Sequence, residues 1–280
     1  MVQSSKIEIK FFASGYCTAH ARVVNPKSGN GMTRFFAVWA LIKHPELGIM
    51  LFDAGYNSEF YKATKTWPER LYRWATPVDV KEEETAKVIL AKEGIAPEAV
   101  NYFVISHFHG DHICAMKDFP SAKFLCTVAA LKQVKELNGF SAVRKGILKN
   151  LLPIDFFERV ILLEDIYSVT IDSVSKLKFY VPFHFDGLRF VELPGHARGM
   201  LGFYIKTEEH DLLYATDASW DKTTFLNKIL PSPIVKLFFD SWKDFKQTNE
   251  NLLRFLTENP KTEILFTHCP QTLKHVKNAF

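Results

Sequence analysis

The stretch His107-Phe108-His109-Gly110-Asp111-His112 decides how this chain is read. Three imidazoles and one carboxylate stand directly behind residues 101–106, an apolar run with the composition of a buried strand. Chance supplies that pattern in under roughly one chain per thousand, so unrelated surface or core histidines explain it poorly. The strand ends and the chain turns, which puts His107 and His109 on one side. Asp111 and His112 then open a helix and point at a second position. Imidazole together with carboxylate suits Zn, Fe or Mn better than Ca or Mg.

Further polar residues fall at the same kind of place. Asp53 follows Ile49-Met50-Leu51-Phe52, His196 follows a strand over 188–193, Asp217 follows one over 212–216, and His268 ends one over 263–267. Strand ends along one edge of a packed scaffold gather side chains into a single site. Other strands are expected over 6–12, 34–44, 48–53 and 122–127, and 201–207 forms a hairpin with 212–216. Helices are expected over 57–76, 81–93, 129–137 and 243–258, with 140–180 weakly patterned. Two β-rich halves flanked by helices predict an α+β fold, two sheets face to face between helical layers.

His107, His109, Asp111, His112, His196 and His268 then ring two metals, with Asp217 able to bridge them. Two ions roughly 3.5–4 Å apart hold a hydroxide between them and stabilise both attacking and leaving oxygens. Asp53 reads two ways, as a carboxylate accepting the far N–H of a ligating His or as a turn-former ahead of Gly55. Gly195 and Gly199 are expected to let the His196 loop approach the metals closely. His20, His44, His210 and His275 read as surface residues.

The combination of His-x-His-x-Asp-His, Pro194-Gly195-His196, Asp217 and His268 resembles the metallo-β-lactamase-fold hydrolase superfamily, and the likeness runs from Asp53 to His268. It implies a four-layer αββα sandwich forming one domain over 1–280, with 56–80 and 140–186 as lid or inserted segments. It also implies one metal site from His107, His109 and His196, a second from Asp111, His112 and His268, and Asp217 as the bridge. Two divalent ions are expected, zinc first, with Fe or Mn compatible. Within the superfamily, flavodiiron proteins carry Glu where His109 stands. Leu51-Phe52-Asp53-Ala54-Gly55, Leu193-Pro194-Gly195-His196 and Ala215-Thr216-Asp217-Ala218-Ser219-Trp220 are similar to the quorum-quenching N-acyl homoserine lactonase branch. That branch has Tyr at the place of Trp220, and an indole donates one N–H but cannot titrate.

The expected activity is dinuclear metal-dependent hydrolysis of a carbonyl ester, a lactone of the N-acyl homoserine type before others. The metal-bridging hydroxide attacks, and Asp111 or a water passes the proton. Tyr56, Trp67, Trp220 and His184 are the candidate walls of a pocket for a small-molecule substrate. The aromatic segments that carry them also suit a homodimer contact. A phosphodiesterase and a glyoxalase II-like thioesterase are the competing enzymes, and a non-catalytic metal-binding regulatory protein is the competing non-enzymatic reading.

The chain's 280 residues, 47% of them hydrophobic, suffice for a sizeable core. Its 35 basic and 31 acidic residues leave a net charge of +4, too balanced to indicate nucleic acid or an anionic membrane as partner. The apolar run 35–42 is too short to span a bilayer. An N-terminus without an apolar core, and cysteines without paired spacing, point to the reducing cytoplasm.

Overall fold

Residues 35–42 are apolar throughout because both faces of their strand are buried. Phe35, Ala37, Trp39 and Leu41 pack into a helical layer. Val38, Ala40 and Ile42 pack instead against a second sheet. Side chains alternate across a strand, so a continuous apolar run is what a strand covered on both faces requires. The computed structural model describes residues 7–182, 187–206 and 211–278. His184 and His210 therefore lie outside the described residues, as does most of the hairpin turn.

The first sheet holds β1 (Glu8–His20), β2 (Met32–His44), β3 (Gly48–Phe52), β4 (Val78–Asp79), β5 (Val100–Val104), β6 (Lys123–Cys126) and β7 (Val160–Leu162), in the order β4-β1-β2-β3-β5-β6-β7. The second holds β8 (Tyr167–Ile171), β9 (Lys178–Pro182), β10 (Leu188–Glu192), β11 (Leu201–Ile205), β12 (Asp211–Tyr214) and β13 (Thr262–Leu265), in the order β13-β12-β11-β10-β9-β8. Phe11, Phe52, Phe190, Phe203 and Tyr214 fill the space between them. The outer face of the second sheet, with Val191 and Leu213, is covered by Leu252 and Phe255 of the helix Trp242–Glu258. Helix, sheet, sheet and helix are the four layers of an α+β sandwich.

Two parallel pairings place the site. β3 runs parallel to β5 with Phe52 opposite Val104, and β12 runs parallel to β13 with Tyr214 opposite Leu265. The residues that follow these strands, Asp53, His107, Asp217 and His268, therefore leave the two sheets at one edge.

The structure departs from expectation at several points. The helix expected over 57–76 is two short ones, Glu59–Ala63 and Arg70–Ala75. Pro68 stands between them and has no N–H to continue a helical ladder. Residues 160–182, within the stretch expected as lid or insertion, instead supply β7 to one sheet and β8 and β9 to the other. The reason is visible in β9, where Phe179 faces the outer helix and Tyr180 the inter-sheet core. His44 is buried rather than on the surface, and its Nδ1 accepts the N–H groups of Glu46 and Leu47 at 3.1 Å each.

Candidate metal centre

His107, His109 and His196 form one group, and Asp111, His112, Asp217 and His268 a second. Within each group, one potential ligand atom per residue lies within 4.8 Å of the others. His196 Nε2 is 3.1 Å from His109 Nδ1 and 3.3 Å from Asp217 Oδ2. His268 Nε2 is 3.1 Å from Asp217 Oδ2 and 3.2 Å from Asp111 Oδ2. Asp217 thus touches both groups.

The surrounding chain turns these rings inward. His112 Nδ1 is held by Asp53 Oδ2 at 2.7 Å, and Asp53 Oδ1 accepts the N–H of Ser106 at 2.9 Å. Ser106 Oγ meets His107 Nδ1 at 3.0 Å. The carbonyl of Lys145 holds His109 Nε2 at 3.0 Å, and the carbonyl of Phe36 holds His268 Nδ1 at 2.9 Å. A partner on one ring nitrogen fixes the tautomer and leaves the other as a lone pair directed at the centre. His196 differs, since its Nδ1 is buried without a partner while Nε2 faces the cluster. The Asp53 backbone also sits in the left-handed region, at φ 61.

This donor set fits divalent cations. His107 Nε2, His112 Nε2 and Asp217 Oδ1 are buried with no hydrogen bond, although His112 Nε2 lies 3.1 Å from Asp111 Oδ2. Buried polar atoms are otherwise almost always satisfied. These unbonded donors converge on one buried volume, and a cation there would give each of them a partner. Electrostatics agree. Burial opposes ionisation of Asp217, yet His268, His112 and His196 hold its carboxyl well below the usual range. Burial, then His109, drives His196 down to about 3, so it stays neutral and able to ligate. Burial would also lower His268, but Asp217 and Asp111 carry it up to about 10.

The glycines of the His196 loop act differently from the expectation. A Cβ on Gly195, at φ 131, would stand 2.2 Å from the backbone of Phe245. One on Gly199 would meet Thr127 Oγ1 at the same distance. They let the loop pack on neighbouring helices, not on the metals. Gly146 is the glycine that makes room for a ring of the cluster, since a Cβ there would lie 2.3 Å from His109 Cδ2.

The cluster forms the floor of a cavity of about 690 Å³. Phe35, Leu71, Phe140, Val143, Phe238 and Phe239 are among its apolar walls, and Tyr56, Tyr72 and Trp220 also face it. Trp220 stands with its ring centroid 5.9 Å from His196 and 5.6 Å from Phe239. Trp67 does not line the cavity. It lies 55% exposed on the outside, edge-on to Trp74 at 5.4 Å. Sequence reading missed Ser106, Gly146 and Tyr72. Ser106 was legible as the hydroxyl beside His107, whereas the other two depend on contacts distant in the chain.

Residues 32–267 match the family model described as the metallo-beta-lactamase superfamily. An N-acyl homoserine lactonase of Bacillus cereus is 24% identical over 229 residues, which cover 79% of this chain and 80% of that protein. The N-acyl homoserine lactonase AttM of Azorhizobium caulinodans is 25% identical over 284 residues, 98% of this chain and 97% of its own. A solved N-acyl homoserine lactone hydrolase, with N-hexanoyl-L-homoserine as product at its catalytic metal center, superimposes with a TM-score of 0.71 at 18% identity over 96% of each chain. That last likeness is one of fold.

Proposed function

We propose, from the premise that this chain belongs to the metallo-beta-lactamase superfamily of hydrolases, that it cleaves a carbonyl ester, and specifically a lactone of the N-acyl homoserine type. One observation carries the reading: the inward-turned His and Asp cluster is the floor of a cavity whose walls are almost entirely apolar. His107, His109 and His196 would hold one divalent ion and Asp111, His112 and His268 the other, with Asp217 between them. Zinc suits the nitrogen-rich donors, and when bound the ions supply a water of lowered pKa and a Lewis acid for the carbonyl oxygen.

The chain's own residues do the rest. Asp53 and the carbonyls of Lys145 and Phe36 orient the imidazoles. Asp111 lines the cavity and is the acid group placed to pass a proton to the leaving oxygen. Phe140, Val143 and Phe238 offer an apolar wall to an acyl chain. Tyr56 and Tyr72 offer phenols to a cavity in which position 220 has none. We assign the helices Arg70–Ala75 and Gly139–Arg144 as its lid, within one domain. The four described cysteines, all free and buried, suit the reducing cytoplasm in which we place the protein.

A phosphodiester carries an anionic charge at the reacting centre, and beyond the cluster Arg144 is the only cation among the described residues of the lining. That favours a neutral ester. Parallel assays of the zinc-loaded protein with an N-acyl homoserine lactone, an acyl thioester and bis(p-nitrophenyl) phosphate test the reading. The lactone is expected to be the best substrate. Faster turnover of either competitor reassigns the site.

A further inference from the structure

The mouth of the cavity is built from three short segments, the helices Arg70–Ala75 and Gly139–Arg144 and the turn of helix Pro233–Leu237, each contributing residues to its lining. The second and third are joined, since the Lys145 ammonium donates to the carbonyl of Phe239. Soluble surfaces usually scatter their large apolar side chains singly. Here Trp67, Trp74, Phe140, Ile234, Leu237 and Phe238 are each half or more exposed, and all lie on or beside these segments. Phe140, Ile234 and Phe238 also line the cavity, so its apolar wall continues onto the outer surface.

The three segments themselves are basic. The three segments carry Arg70, Arg73, Arg144 and Lys236, with Lys145 directly after the second, and no Asp or Glu. Arg70 sits over the Trp74 ring at 5.3 Å, Arg73 over Tyr61 at 5.1 Å, and Lys236 over Trp242 at 5.1 Å. Of the flanking acids, Asp240 is engaged by Gln133 and Arg198, and Glu69 precedes the first helix. The balanced net charge of the whole chain conceals this clustering.

We propose that this rim docks on an anionic phospholipid bilayer, with the aromatic and aliphatic side chains entering the headgroup region and the cations meeting lipid phosphates. Tryptophans, exposed aliphatics and interleaved Arg and Lys are the composition of an interfacial surface. No helix among the described residues is long and apolar enough to cross a membrane, so the contact is peripheral. Docked this way, the cavity opens toward the bilayer, and an amphiphilic substrate dissolved there reaches the cluster without crossing water.

Co-sedimentation of the metal-loaded protein with vesicles tests this, using phosphatidylcholine containing about one-third phosphatidylglycerol against phosphatidylcholine alone, at about 0.1 M salt. The protein is expected to pellet with the anionic vesicles and to release as salt rises. Arg73→Gln with Lys236→Gln should lower the partition coefficient about thirtyfold, at roughly 1 kcal/mol for each cation. Trp74→Ser with Leu237→Ser should lower it at least about tenfold. None of these four residues lines the cavity or belongs to the His and Asp cluster, so bound zinc per chain and the circular dichroism spectrum should stay unchanged. Failure of the unmodified protein to pellet with either vesicle overturns the proposal, as does unchanged partition of both double variants. A dimer in sedimentation velocity that Trp74→Ser with Leu237→Ser dissociates also overturns it, because a second copy then covers the face. Vesicle binding is read without catalysis, so its outcome is independent of the lactonase assignment.

Discussion

At Asp111 a single carboxylate faces the cavity while touching both His112 and His268. Asp111→Asn keeps the shape and loses the acid, so turnover should fall about a hundredfold or more while the protein stays folded; circular dichroism beside steady-state rates checks this. Gly146→Ala tests a contact no motif reveals. The added methyl enters the His109 ring, and metal affinity should fall about ten- to a hundredfold in a competitive chelator titration. Protonation gives a third test. With burial opposing, Asp111 and Asp53 hold His112 well above its ordinary pKa, and His268 reaches about 10, so both are charged in metal-free protein at pH 7. Ligation needs them neutral, hence loading should release about two protons and metal affinity should rise with pH over the neutral range. Calorimetry in buffers of different ionisation enthalpy measures this, and zero release would contradict it. The members of the cluster were legible in sequence because imidazoles and carboxylates announce their chemistry. The carbonyls of Lys145 and Phe36 were not, since every residue has one and only the fold selects which is used.

Elements were legible where burial imposed a period. β2 and β3 could be read because apolar runs of that length fit strands covered on both faces. The 57–76 segment could not, because its aromatic stripe has helical spacing while Pro68 interrupts the backbone. Residues 160–182 lacked a clean pattern because β7 is only half-buried and β8 is largely exposed at its far end. The loop between β10 and β11 carries its own prediction. Gly195 packs against the backbone of the long helix Trp242–Glu258 at a positive φ. Gly195→Ala should therefore cost about 2 kcal/mol or more and lower the melting temperature by about 4–8 °C. His196, next in the chain, would move with it. A melting curve indistinguishable from the unmodified protein would show that the loop relaxes freely.

For the whole molecule, two sheets are brought together so that imidazoles and carboxylates distant in sequence share one buried volume. Ions held by the folded chain and not by the unfolded one should make the metal-loaded protein the more stable form. At a free ion concentration about a thousandfold above Kd, each independent site adds about 4 kcal/mol. Chelation should accordingly lower the melting temperature, and restoring zinc should recover it. The most direct measurement is metal stoichiometry by elemental analysis after equilibrium dialysis against zinc, for the unmodified chain beside His107→Ala and His268→Ala. Two ions per chain, with a deficit in each variant, is the predicted result. A chain that retains no divalent ion, or variants that bind as much as the unmodified protein, would contradict the convergence of these residues on a metal pair.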